Sequence, residues 1–76
     1  MINFNPHTRA YLQRIARRQY EANLAQGGTE HNSYVLAVIA VQEAIYDVVV
    51  REFSWATQVD TSQARQIANE AIKEAA

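Results

Sequence analysis

YVLAVIAVQEAIYDVVV, residues 34–50, is the stretch whose reading decides the fold. Its only clearly polar members are Gln42, Glu43 and Asp47. Strand and helix compete here, because Val35, Val38, Ile39, Val41 and the triplet Val48–Val50 favour β-structure. Length decides first. Strands seldom exceed about ten residues, and no turn signal interrupts positions 34–56. The polar positions agree: Glu43, Asp47, Arg51 and Ser54 recur at helical spacing, one stripe on a helix but both faces of a strand. The segment therefore reads as a helix over about 32–56, with Thr29, Asn32 and Ser33 all able to cap it.

Two further helices flank it. Asn5 is a good N-cap and Pro6 suits the first helical position, where its missing N–H does no harm. Gly27 and Gly28 supply a stop, so the spacing predicts a helix over about 6–26. On its wheel Tyr11, Leu12, Ile15, Ala16 and Ala22 share one side, with Gln19 in their midst. The third segment opens with DTSQ (60–63), where Asp60 can cap and Gln63 can reach back. Ala64, Ile67, Ala68, Ala71, Ile72 and Ala75 then form a narrow apolar strip over 61–75, with Arg65, Gln66, Asn69, Glu70, Lys73 and Glu74 opposite. The expected fold is all-α: one domain over 1–76, a three-helix antiparallel bundle with a long hydrophobic central helix.

That central helix raises a covering problem. Its polar stripe occupies about 80° of circumference, and most of the remainder is aliphatic or aromatic. A helix apolar nearly all round needs cover on most sides, and two flanking helices leave a contiguous patch that monomers seldom tolerate. A chain of 76 residues also buries only about 60% of its unfolded surface. Small proteins compensate with disulfides, metals or oligomerisation. Cysteine is absent and the two histidines are far apart, which leaves oligomerisation. The expectation is a homo-oligomer, helix 2 against helix 2 about a two-fold axis, with an interface drawn from Val38, Ile39, Val41, Ile45, Val49, Phe53 and Trp55. Phe53, Trp55 and Tyr46 read either as anchors for a partner or, more in keeping with large aromatics, as core packing against helix 1 or helix 3.

Net charge is −1, so the chain as a whole is not a polyelectrolyte binder. Its charge is unevenly spread. Residues 1–29 hold Arg9, Arg14, Arg17 and Arg18 against Glu21, a balance of +3, whereas residues 30–76 hold three cations against seven carboxylates, a balance of −4. Such polarity favours head-to-tail contact between copies, or an acidic partner for the first segment. Arg14, Arg17 and Arg18, with Tyr11 and His7 at the same edge, form a cationic strip suited to a phosphate or an acidic surface. The same strip also reads as a solvated face with Arg17–Glu21 and Arg18–Glu21 pairs, and three arginines are a small footprint beside dedicated DNA binders.

Other polar features have plain structural readings. Gln19 could set register across an interface or lie at an exposed edge. GGTEH (27–31) lacks the Lys-Ser/Thr of a phosphate loop and follows a helix. His31 has no nucleophile at recognisable spacing. Glu43 and Asp47, one turn apart with Arg51 beyond, make a salt-bridged stripe sooner than a catalytic or metal-binding pair. No catalytic residue, metal ligand or cofactor site is assigned, and an enzyme is not expected. MINFNPHTRA lacks a charged start and an apolar h-region. The longest uninterrupted apolar run, 34–41, is short of the roughly 20 residues of a span; cytoplasmic location without membrane insertion is the expectation. The function anticipated is a small non-enzymatic protein-interaction module, accessory, regulatory or inhibitory, acting as a homo-oligomer. A chain this short without a catalytic constellation fits a phage- or plasmid-encoded inhibitor of a host protein. The alternative is a nucleotide- or nucleic-acid-binding helical oligomer using Arg14, Arg17, Arg18 and Tyr11.

Overall fold

The computed structural model describes residues 4–52 and 61–75. Three helices account for nearly all of them: α1 (Pro6–Ala25), α2 (Glu30–Glu52) and α3 (Thr61–Ala75). The described residues contain no strand, so helix prevails over the β-favouring valines of the central segment. Residues 53–56, assigned to the end of helix 2 from sequence, lie outside the described residues, as does Asp60.

The local signals act as their chemistry requires. Asn5 Oδ1 accepts the Thr8 N–H at 2.8 Å and Pro6 opens α1. At the other end Gln26 is the C-cap and Gly27 takes φ 89°. The Gly27 N–H then donates to the Leu24 carbonyl at 3.0 Å, and the Gly28 N–H to the Asn23 carbonyl at 2.9 Å. Those two bonds constitute a Schellman ending, which satisfies carbonyls the helix would otherwise leave open. Thr29 caps α2: its Oγ1 accepts the Asn32 N–H at 3.1 Å, and its carbonyl accepts the Ser33 N–H at 2.9 Å. The helix consequently begins at Glu30, two residues before the position read from sequence. Asn32 and Ser33, equally capable caps, are inside it.

Every helix packs on both others. The core contains Leu12, Val41, Ile45, Val49 and Ile67, interleaved with Ala16, Ala37, Ala64, Ala68 and Ala71. Alanine at the crossing points lets backbones approach closely, so a thin apolar strip on α3 suffices to seal the groove between α1 and α2. Phe4, Tyr20, Tyr34, Ala44 and Ile72 pack around this centre.

Two polar contacts fix how the helices lie. Ser33, fully buried, donates its hydroxyl to Asn23 Oδ1 at 2.9 Å, tying the end of α1 to the start of α2. The short connection and that tie make α1 and α2 an antiparallel hairpin. Glu70 of α3 meets Arg9 and Gln13, near the start of α1. Thr61 and Arg65, at the start of α3, share a hollow with His31, Tyr34, Val38 and Gln42. So α3 runs against α1 but in the same sense as α2. This corrects the uniformly antiparallel bundle expected from sequence: a third helix can seal a hairpin groove in either direction.

Candidate interaction surfaces

Packing divides α2 into two sides. Val41 and Ile45 are fully buried, with Val38 and Val49 nearly so. These four were expected at an interface between copies. They are instead enclosed within the protomer, because α1 and α3 cover the sector they share. Of the expected set Ile39 stands exposed, while Phe53 and Trp55 lie outside the described residues.

The opposite side keeps large apolar groups in solvent. Val35 is 38% exposed, Leu36 37%, Ile39 46% and Tyr46 55%. Successive helical positions turn by about 100°, which places these residues on one outer sector with Glu43 and Asp47. Ile39, Gln42, Glu43, Tyr46 and Asp47 line an open hollow of about 510 Å³. A second, of about 470 Å³, continues from Ile39 and Gln42 towards Thr61 and Arg65 of α3. The sector stays exposed because α1 and α3 both pack on the other side of α2, over Val38, Val41, Ile45 and Val49. By length and composition the stretch Glu30–Val49 could also cross a membrane, its mean hydropathy being 1.2. The uninterrupted run read from sequence understated that. A third of its apolar window is buried inside the bundle.

On α1 the anticipated cationic strip is at the surface. Tyr11, Arg14, Ile15 and Arg18 line a hollow of about 380 Å³. Arg14, Arg17, Arg18, Glu21 and Ala22 line another of about 430 Å³. Arg14 and Arg18 are exposed and Arg17 is half-buried. Tyr11 and Ala22, placed on the apolar side of the helix from sequence, are exposed; the buried sector is centred instead on Leu12 and Ala16. Gln19 is half-buried.

Two polar arrangements had no sequence signal pointing to them. Asn23, which merely flanks Gln19 on the wheel, is the amide that engages a buried partner. Arg9 and Gln13 hold Glu70 from 61 and 57 residues away, Arg9 Nε at 3.2 Å and Gln13 Nε2 at 3.0 Å from one carboxylate oxygen, with Arg9 Nη2 on the other. Arg9's hydrogen bonds hold the Glu70 carboxyl below the usual glutamate range; partial burial opposes this, and Arg9's charge with the Gln13 and Gln66 amides assists it. Glu70 is therefore a fastening between α1 and α3, not part of a solvated outer face.

Among the described residues no group of three His, Asp or Glu side chains gathers as a metal site would require. No protein family, curated protein or solved structure matches this chain. The surfaces above are thus the chemistry available for a functional reading.

Proposed function

We propose that this protein is a small helical interaction module, accessory, regulatory or inhibitory in role, which self-associates through the outer face of α2. The observation that carries the reading is the exposed group Val35, Leu36, Ile39 and Tyr46 on a helix whose inner face is already occupied. Apolar side chains clustered at one place on a small protein favour a partner that removes them from water. Catalysis is not part of the proposal. A phage- or plasmid-encoded inhibitor of a host protein fits the size and the surface.

Light scattering across a dilution series tests it. The expected result is a mass that climbs from 8.6 kDa towards at least twice that value as concentration rises. Ile39→Glu should return the mass to that of one chain with the helical circular-dichroism signal retained. A single-chain mass at every concentration would end the self-association reading, and an Ile39→Glu variant that assembles like the parent would remove α2 from it.

A second reading draws on the hollow that Tyr11 shares with Arg14 and Arg18: nucleotide or nucleic-acid binding by an oligomer. It requires affinity for phosphate-bearing ligands that falls steeply with salt and with Arg14→Ala plus Arg18→Ala. Glu21, in the adjoining hollow with Arg14, Arg17 and Arg18, makes it the weaker of the two.

A further inference from the structure

We propose that copies associate by laying the cationic strip of α1 on the acidic, apolar face of α2 in a second copy, reciprocally, so that two α1–α2 contacts close a dimer. The inference rests on the self-association proposed above and assigns the surfaces that meet. It replaces an α2-on-α2 contact, which would set Glu43 and Asp47 of one copy against the same carboxylates of the other.

Complementarity of charge and spacing carries the argument. Tyr11, Arg14, Ile15 and Arg18 line one hollow, and Ile39, Gln42, Glu43, Tyr46 and Asp47 line the other. Each combines apolar side chains with two like charges one helical turn apart. The Asn23–Ser33 contact sets Arg14 about level with position 42 of the antiparallel hairpin, so a two-fold axis parallel to the helices brings Arg14 of one copy to the height of Glu43 of the other, with Arg18 and Asp47 about 6 Å to either side. The apolar members, Tyr11 and Ile15 against Ile39 and Tyr46, then remove one another from water. The charges are available: Arg14, Arg18, Glu43 and Asp47 are exposed and are not partners in the Arg9–Glu70 ion pair. The chain's polarity, +3 over residues 1–29 and −4 over 30–76, orients approach in the same sense.

Placement around the helices permits closure. On α1, Asn23 faces α2 while Arg9 and Gln13 face α3. At about 100° per residue, Ile15, Tyr11 and Arg18 follow Asn23 on the side away from α3. On α2, Ser33 faces α1 while Val38 and Gln42 border the hollow shared with α3. Glu43, Leu36 and Asp47 fall between the outermost direction and Ser33, again on the flank away from α3. Both surfaces therefore reach the open side of the hairpin, that of α2 through Glu43, Leu36 and Asp47, while Ile39 also lines the hollow shared with α3. A two-fold axis along that side brings α1 over the partner's α2 twice, an isologous contact that ends at two copies.

Charge reversal tests this. Arg14→Glu with Arg18→Glu should weaken self-association by more than about tenfold, and so should Glu43→Arg with Asp47→Arg, since each sets like charges together. Mixing the two variants should restore a dimer of near-parental affinity, because every α1–α2 contact in the mixed pair is again complementary. A chain with all four reversals should self-associate alone. All four side chains are exposed, and circular dichroism with thermal unfolding checks that each variant is folded. If the parent dimerises but either reversed pair associates as tightly, or the mixture stays monomeric, the α1–α2 assignment is overturned while self-association stands. A parent that is monomeric at all concentrations overturns both.

Discussion

Gly28→Ala is the most informative single perturbation of this fold. A Cβ at that position would sit 2.0 Å from Asn23 Oδ1, 2.7 Å from its Cγ and 2.9 Å from the Asn23 carbonyl oxygen. All three are shorter than van der Waals contact, so something must move. If the Asn23 side chain swings away, the fully buried Ser33 hydroxyl loses its acceptor, a loss of about 1–3 kcal/mol. If the turn opens instead, the Gly28 N–H bond to the Asn23 carbonyl is broken at comparable cost. The alanine restricts the unfolded chain, which returns about 0.4–1 kcal/mol. The net destabilisation is about 1–2 kcal/mol, and a domain this small loses about 4–8 °C of Tm per kcal/mol. Denaturant and thermal unfolding of the single variants and of the double variant with Asn23→Ala form a double-mutant cycle. Once Asn23 is alanine the side-chain clash is gone and the carbonyl oxygen at 2.9 Å remains, so Gly28→Ala should cost clearly less in that background than in the parent. Gly27→Ala supplies the contrast: nothing lies within 4 Å of a Cβ there, but φ is 89°. Its penalty of about 1–2 kcal/mol is conformational and independent of Asn23. Equal costs for Gly28→Ala in both backgrounds would refute the reasoning.

Further outcomes follow from the core and from the α1–α3 fastening. Ile45→Ala should cost about 2–5 kcal/mol by opening a cavity, out of a total of about 4–11 kcal/mol for a chain of this length. Its neighbour Tyr46→Ala should change stability by less than about 0.5 kcal/mol; equal effects in thermal unfolding would mean that the inner and outer faces of α2 have been confused. Glu70→Gln should cost only about 0.5 kcal/mol at neutral pH, because Arg9 and Glu70 are 35% and 34% exposed and solvent screens the pair. Its pH dependence has a definite sign: the folded carboxyl titrates below its unfolded value, so its contribution is present above about pH 4.3 and fades as pH falls through the lowered value. Urea unfolding across that acid range should show a smaller loss of stability for Glu70→Gln than for the parent.

What could be read from the sequence is what is local. Asn5-Pro6 and Gly27-Gly28 carry their instructions within four residues, and they bound α1 as read, to within one position. The strip of Ala64, Ile67, Ala68 and Ala71 contrasts with its polar neighbours, so α3 and its buried side were legible too. For α2 the wheel offers too little contrast, since aliphatic residues occupy almost every sector. Which sector faces inward is decided by where α1 and α3 settle, and Val38, Val41, Ile45 and Val49 could not be told from Val35, Leu36, Ile39 and Tyr46 by composition. The direction of α3 and the Arg9–Glu70 contact depend on residues about sixty positions apart, beyond any periodicity. Asn23 carries no signal of its own in the sequence because its role needs Ser33 opposite it, a residue that sequence offered as a cap.

The two-sidedness of α2 has a physical consequence for how this protein can work. A side chain with no accessible surface cannot touch a partner, so Val41 and Ile45 act on assembly only through the integrity of the fold. Ile39 and Tyr46 make little contact with the core, so replacing them leaves the bundle intact and alters what it can bind. Stability and the proposed association therefore fall to different residues of one helix, alternating along the same stretch of chain. A third helix that covered all of α2 would have joined the two, and any change in the binding face would then have been a change in the core. The short, alanine-lined α3 seals the hairpin groove and leaves the outer face free. That separation lets a chain of 76 residues vary its exposed apolar face without losing its fold.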